Sequence, residues 1–161
     1  MTTLLDAAAL DAAVREIDDP ELPHVTIGDL GIVRSVEVDG DRATVVLTPT
    51  YTGCPATEQI RDDVEAAVRD AGYDATVEFA MSPAWTTDWI TERGHQRLAA
   101  AGIAPPAPAP EPGVVPVDLP VPCPHCGSRR TRLISRFGGT ACKATYVCAA
   151  CTEPFEYFKP L

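Results

Sequence analysis

Two cysteine pairs, Cys123-Pro124-His125-Cys126 and Cys148-Ala149-Ala150-Cys151, stand 21 residues apart in the last quarter of the chain. Two thiolates separated by two residues can grip one ion, and two such pairs supply the four sulfurs of a tetrahedral site. Gly127 follows the first pair, where the chain must turn to aim backbone N–H groups at the sulfurs. The pattern predicts a four-cysteine zinc ribbon over residues 123–161, with strands at 131–136, 143–147 and 155–159. Two such pairs rarely recur by accident, which sets aside four ordinary reduced thiols. A rubredoxin-like iron site shares the geometry, with zinc the favoured metal. Four protein ligands leave no open coordination position, so the metal's role is structural.

The chain has six cysteines, and because Met1 to Leu10 carries Asp6 and lacks a basic stretch, no secretory signal is expected. Paired thiols in such a chain point to metal rather than disulfides, and to a soluble, cytoplasmic protein with no membrane span. Net charge is −10, unevenly spread: residues 1–101 hold 19 acids against 7 bases, and residues 123–161 hold 2 against 6. The acidic part repels phosphate backbones, and a zinc ion held by four thiolates would itself subtract about two charges from the ribbon. Both facts argue against nucleic acid as a partner of the whole chain, the basic ribbon alone being the one part that could still touch it.

At 161 residues the chain is expected to hold one core and one metal-stapled unit. Leu4, Leu5, Ala8, Leu10, Val14 and Ile17 predict an amphipathic helix, ended by Asp18-Asp19-Pro20. Alternation over Ile32–Val38 and Ala43–Thr48, joined by Asp39-Gly40-Asp41, predicts a hairpin. Pro55 opens a second helix over 55–71 with Ile60, Val64, Ala67 and Val68 inward, and Ala75–Met81 is a third strand. A turn and a short helix then run to about Gly102. Between Gly102 and Pro122, eight of 21 residues are proline, which predicts an extended tether. The expected fold class is α+β: a small α-β-β-α-β domain over 1–101 with a three-stranded mixed sheet on helices, a Pro/Ala-rich linker over 102–122, and the ribbon over 123–161. An edge strand of that sheet is open to pairing in a homodimer.

Cys54 precedes Pro55 at a helix start, where unpaired N–H groups and the macrodipole favour a thiolate. A reactive or metal-binding thiol and a cysteine that merely fits the tight Gly53-Cys54-Pro55 turn are equally consistent with that position. Catalysis would need a base, and outside the ribbon only His24 and His95 are available. Asp19, Glu21, His24 and Asp29 share one loop, and Glu58 lies a turn after Cys54; such donors can complete a transient metal site, and solvated loop acids look the same. Trp85 and Trp89 are four apart, with core packing the default and docking of a partner the sharper reading. Cys142 reads as a small buried hydrophobe, the alternative being a thiolate steadied by Lys143. The chain has no paired-carboxylate helix motif of a di-iron oxygenase and no Gly-rich nucleotide loop.

Asp19-Pro20-Glu21-Leu22-Pro23, Asp29-Leu30-Gly31-Ile32-Val33 and Thr48-Pro49-Thr50-Tyr51-Thr52-Gly53-Cys54-Pro55-Ala56 together resemble the small domain of SufT-like and MIP-type iron–sulfur assembly proteins. Ser82-Pro83-Ala84-Trp85-Thr86-Thr87-Asp88-Trp89-Ile90, with Phe137-Gly138-Gly139-Thr140-Ala141-Cys142-Lys143-Ala144 inside the ribbon, is similar to the PaaD (PaaJ) family of phenylacetyl-CoA epoxidase, or ring oxygenase, systems. The resemblance covers nearly the whole chain apart from the proline linker; Gly139 and that linker depart locally from the pattern. It implies a non-enzymatic accessory component of phenylacetate catabolism that assists iron–sulfur cluster or metal assembly in a client, or alternatively a structural subunit of the oxygenase. The implied cofactor is structural zinc, with a transient Fe ion or Fe–S cluster. The implied partners are the oxygenase subunits, its iron–sulfur reductase above all. By position Cys54 matches the family's motif cysteine, Asp19 and Glu21 fall in its acidic motif, and Cys142 falls in its ribbon motif.

Overall fold

A computed structural model describes residues 6–108, 111, 113 and 120–161. The chain divides into two units, one running to Trp85 and including Trp89–Thr91, the other made of Thr86–Asp88 and Glu92–Leu161. In the first, helix α1 (Ala7–Arg15) is followed by strands β1 (Val33–Asp39) and β2 (Arg42–Leu47), helix α2 (Ala56–Asp70) and strand β3 (Asp74–Phe79). The expected part of α1 before Asp6 lies outside the described residues. Asp6 caps α1 by accepting the Ala9 N–H at 2.8 Å.

The sheet order is β1-β2-β3. β1 and β2 form the expected antiparallel hairpin, with Asp39 opposite Arg42. β2 and β3 are parallel, a pairing that requires a crossover, which α2 provides. Leu10 and Val14 of α1, Val45 and Leu47 of β2, and Val64 and Val68 of α2 are fully buried. Each such side chain contributes roughly 1.5–3 kcal/mol relative to exposure. That helical and alternating spacing is what places α1 and α2 on the sheet.

The stretch between α1 and β1 is irregular, and its apolar side chains turn inward while Asp18, Pro20, Pro23 and His24 are exposed. Val25, Ile27 and Leu30 are buried. Thr26 and Asp29 brace each other, the Thr26 N–H donating to the Asp29 carboxylate at 3.1 Å and the Asp29 N–H to Thr26 Oγ1 at 3.0 Å. Gly31 has φ +69°, and a Cβ there would lie 2.5 Å from the Trp89 carbonyl oxygen, so the backbone of the Asp29-Leu30-Gly31 turn fits against Trp89 only as glycine.

The second unit holds helix α3 (Glu92–Ala100), strand β4 (Ile103–Ala104) and the ribbon strands β5 (Thr131–Ser135), β6 (Lys143–Cys148) and β7 (Pro154–Phe158), in sheet order β4-β7-β6-β5. The three ribbon strands fall where the sequence predicts them. β4 does not: Ile103 and Ala104, read as the start of a tether, pair in parallel with Glu156 and Tyr157 of β7. Val121, at the far end of the proline-rich segment, is buried with Ala104, Cys123, Cys148 and Phe155. Residues 109–110, 112 and 114–119 of that segment lie outside the described residues.

Candidate metal centre and the Cys54 loop

The two knuckles are built by backbone hydrogen bonds. Cys123 N–H donates to the Ser128 carbonyl at 2.9 Å and Gly127 N–H to the Cys123 carbonyl at 2.8 Å, a tight turn in which Gly127 takes φ +74°. In the second, Cys148 N–H donates to the Glu153 carbonyl at 3.0 Å, and the Ala150 N–H points at Cys148 Sγ at 3.3 Å. Strand β6 delivers Cys148 to its end, and the first knuckle enters beside it.

These turns bring the Sγ atoms of Cys123, Cys126, Cys148 and Cys151 within 4.8 Å of one another. Cys123 and Cys151 sulfurs are 3.7 Å apart and those of Cys126 and Cys148 3.6 Å. A tetrahedron with metal–sulfur bonds of about 2.3 Å has edges of about 3.8 Å. The spacing therefore suits one ion with four thiolate ligands, and is far too long for disulfides.

The electrostatics point the same way. Backbone N–H groups of Cys151, and after burial's opposing effect of Ala150, hold the Cys148 thiol at about 6. The Glu153 backbone favours a Cys151 thiolate, but burial and the Cys148, Cys126 and Cys123 sulfurs push that thiol up to about 12. At Cys126 the Ser128 backbone pulls down, and burial with the Cys148 sulfur pushes the thiol up. One negative charge is welcome in this cluster and further ones repel, so a cation is what lets all four sulfurs ionise.

Cys54 sits in the loop that leads from β2 into α2, partly exposed. Its carbonyl accepts the Thr57 N–H at 3.2 Å, and Pro55 at the helix N-cap offers no side-chain cap to the first turn. Among the described residues no side chain hydrogen-bonds its thiol. Asp19 is buried, and its Oδ1 accepts the backbone N–H groups of Glu21 at 2.8 Å and Leu22 at 3.0 Å. Glu21 is partly exposed in the same turn. Among the described residues the four ribbon cysteines form the one group of three or more candidate metal ligands; Cys54, Asp19 and Glu21 do not form a second.

Trp85 is 5% exposed and its indole N–H donates to the Leu30 carbonyl at 2.8 Å, a core position. Trp89 is partly buried beneath the Arg34 guanidinium, 4.2 Å from the ring centre. Cys142 is buried, its sulfur 3.0 Å from Thr140 Oγ1. Sequence reasoning missed its neighbour. The Lys143 ammonium is buried and paired with Glu156 at 2.7 Å, and the other Glu156 oxygen accepts the Gly139 N–H at 2.9 Å. A lone lysine in one predicted strand and a lone acid in the next were the signal available.

The fold and the cysteine cluster define an iron–sulfur assembly-type domain joined to a four-cysteine β-ribbon. Residues 7–79 match the iron-sulfur cluster assembly protein family, and residues 107–159 match the PaaD zinc beta ribbon domain. The chain is 46% identical to a putative 1,2-phenylacetyl-CoA epoxidase subunit of Escherichia coli (strain K12), over 92% of this chain and 89% of that protein, and it belongs to that PaaD-type family. It is also 38% identical to the Fe-S protein maturation auxiliary factor YitW of Bacillus subtilis (strain 168), over 47% of this chain and 76% of that protein. The crystal structure of a DUF59 domain from Bacillus anthracis superposes with a TM-score of 0.53 at 28% identity, covering 57% of this chain and 90% of that one. Among the described residues, no helix is long and apolar enough to cross a membrane.

Proposed function

We propose that this protein is an accessory maturation factor of a phenylacetyl-CoA epoxidase system in phenylacetate catabolism, assisting iron–sulfur cluster or metal assembly in a client protein without performing the oxygenation. The observation that carries the reading is the union, in one chain, of an iron–sulfur assembly domain with a PaaD-type ribbon. Zinc held by Cys123, Cys126, Cys148 and Cys151 would fix the ribbon's two knuckles. To Cys54, partly exposed in the loop that leads into α2, this reading gives the brief ligation of a cargo ion or cluster and its release to client thiolates, with Asp19 and Glu21 of the separate acidic motif assisting. The client this implies is the oxygenase's iron–sulfur reductase. Cys54→Ser should leave fold and zinc intact while the co-expressed reductase, isolated anaerobically, loses iron and sulfide; a fully loaded reductase would defeat the reading.

The Escherichia coli relative is named as a subunit of the epoxidase, which favours a second reading, a structural component of the oxygenase. A stoichiometric complex that forms equally well with Cys54→Ser, and whose loss impairs assembly but not cluster content, would select it.

A further inference from the structure

Most basic side chains in this protein are already engaged. Arg15 pairs with Asp11, Arg42 with Asp74 and Arg69 with Glu65, while Arg34 and Arg61 lie over the rings of Trp89 and Phe79. In the ribbon, Lys143 is held by Glu156 and Lys159 lies over Phe137. Arg129, Arg130, Arg132 and Arg136 differ: all four are exposed, and among the described residues their guanidinium groups meet no acid, acceptor or ring. They fall within eight residues that contain no acid.

Those eight residues contain β5, the last strand of the order β4-β7-β6-β5, paired on one side with β6. Its other side faces no strand among the described residues. Leu133 and Ile134, between Arg132 and Arg136, are 40% and 53% exposed, and Phe137 just beyond Arg136 is 67% exposed. Ile134 is the extra residue of a bulge, opposed by nothing between the Leu133–Tyr146 and Ser135–Thr145 pairs.

We propose that the outer edge of β5 docks an extended acidic segment of a partner protein, which joins the sheet as an added strand with its carboxylates against the arginines and its apolar side chains against Leu133 and Ile134. Strand addition to an exposed edge draws affinity from main-chain hydrogen bonds and specificity from alternate side chains. Unpaired guanidinium groups flanking an apolar centre select glutamate and aspartate at the partner's flanking positions. The same arginines exclude a second copy of this chain, because pairing β5 with itself would set two sets of four like charges together. The bulge and the charges also keep the edge from pairing indiscriminately. A nucleic acid fits less well: the chain carries a net charge of −10, and Leu133 and Ile134 present aliphatic surface that neither phosphates nor bases reward. This edge belongs to the ribbon alone and is independent of the role given to Cys54.

The test uses the zinc-loaded full chain, labelled with nitrogen-15, and three probes: a ten-residue peptide alternating valine and glutamate, its lysine counterpart, and a single-stranded oligodeoxythymidine of the same charge as the first peptide. The glutamate peptide should shift and protect the amides of Thr131–Ser135, with affinity that falls as salt is raised. The double variant Arg132→Glu, Arg136→Glu, checked for folding by its zinc content and unshifted amides elsewhere, should weaken that peptide by about tenfold or more and gain binding of the lysine peptide. Any of four results would overturn the proposal: no response at β5 to about 2 mM glutamate peptide, equal response to both peptides, tighter binding of the oligonucleotide, or a dimer in sedimentation whose β5 amides are protected before any probe is added.

Discussion

The Lys143 ammonium, on a side chain only 7% exposed, donates to Glu156 at 2.7 Å, and the second oxygen of that carboxylate holds the Gly139 N–H. Burial works against the Glu156 charge, but the hydrogen bonds from Lys143 and Gly139 and the nearby ammonium outweigh it and set the carboxyl below its ordinary 4.5. A carboxyl depressed in the folded state contributes its full stability above the ordinary value and loses it as pH falls through the lower folded one. Glu156→Gln leaves the buried ammonium without a counter-charge, and because Glu156 itself is partly exposed the cost is about 2 kcal/mol rather than that of a fully buried pair. The urea midpoint of the zinc-loaded variant should lie below wild type at pH 7 and 5, and the difference should shrink below pH 4.5. Acid release of zinc affects both proteins, so the difference between them isolates Glu156.

Cys126→Ser removes one of four sulfurs that lie within 4.8 Å of one another. Structural zinc sites bind with an apparent 10–16 kcal/mol, roughly, which is as large as the whole stability margin of about 5–15 kcal/mol of a folded protein. The expected outcome is loss of zinc by elemental analysis and of the near-UV signal from Tyr146, Phe155 and Tyr157, which pack on one another beside the cluster. Chelation of wild type should do the same. Amide signals of α1 and α2 should persist, since their apolar core is formed with the three-stranded sheet.

The sequence exposes whatever rests on spacing. Leu10 and Val14, or Ile60, Val64 and Val68, repeat at the helical interval and are buried on one face, and the two cysteine pairs carry their geometry in their separation. What it conceals is decided by partners far away in the chain. Nothing local in Ile103-Ala104 tells that β7 will take it as a strand, because proline follows at once and the composition reads as a tether. Asp19 reads as a free acid beside a motif until its Oδ1 is seen to hold two backbone amides. Trp85 and Trp89 share a spacing but not a fate, since the Leu30 carbonyl that receives the Trp85 indole lies 55 residues away.

That indole bond makes Trp85→Phe a clean probe of the interior. Phenylalanine keeps most of the ring but leaves the Leu30 carbonyl without its donor. An orphaned buried acceptor costs about 1–3 kcal/mol, and the smaller ring adds a packing loss. Chemical denaturation followed by α1 and α2 helicity should show that decrease, while zinc content stays at the wild-type level.

Asp19 separates a loop-shaping role from a cargo-binding one. Its Oδ1 accepts the Glu21 and Leu22 N–H groups, an Asx-type turn that an asparagine oxygen can reproduce and an alanine cannot. Asp19→Ala should therefore cost about 1–2 kcal/mol in the first unit, and Asp19→Asn less than about 1 kcal/mol. With the turn preserved in Asp19→Asn, the iron content of the co-expressed reductase reads the loss of the carboxylate's charge. A drop beside a normal denaturation curve means that the negative charge serves cargo at Cys54, as the motif match proposes. Full loading in Asp19→Asn together with poor loading and a lowered midpoint in Asp19→Ala means that Asp19 acts only by holding the Glu21–Leu22 turn in shape.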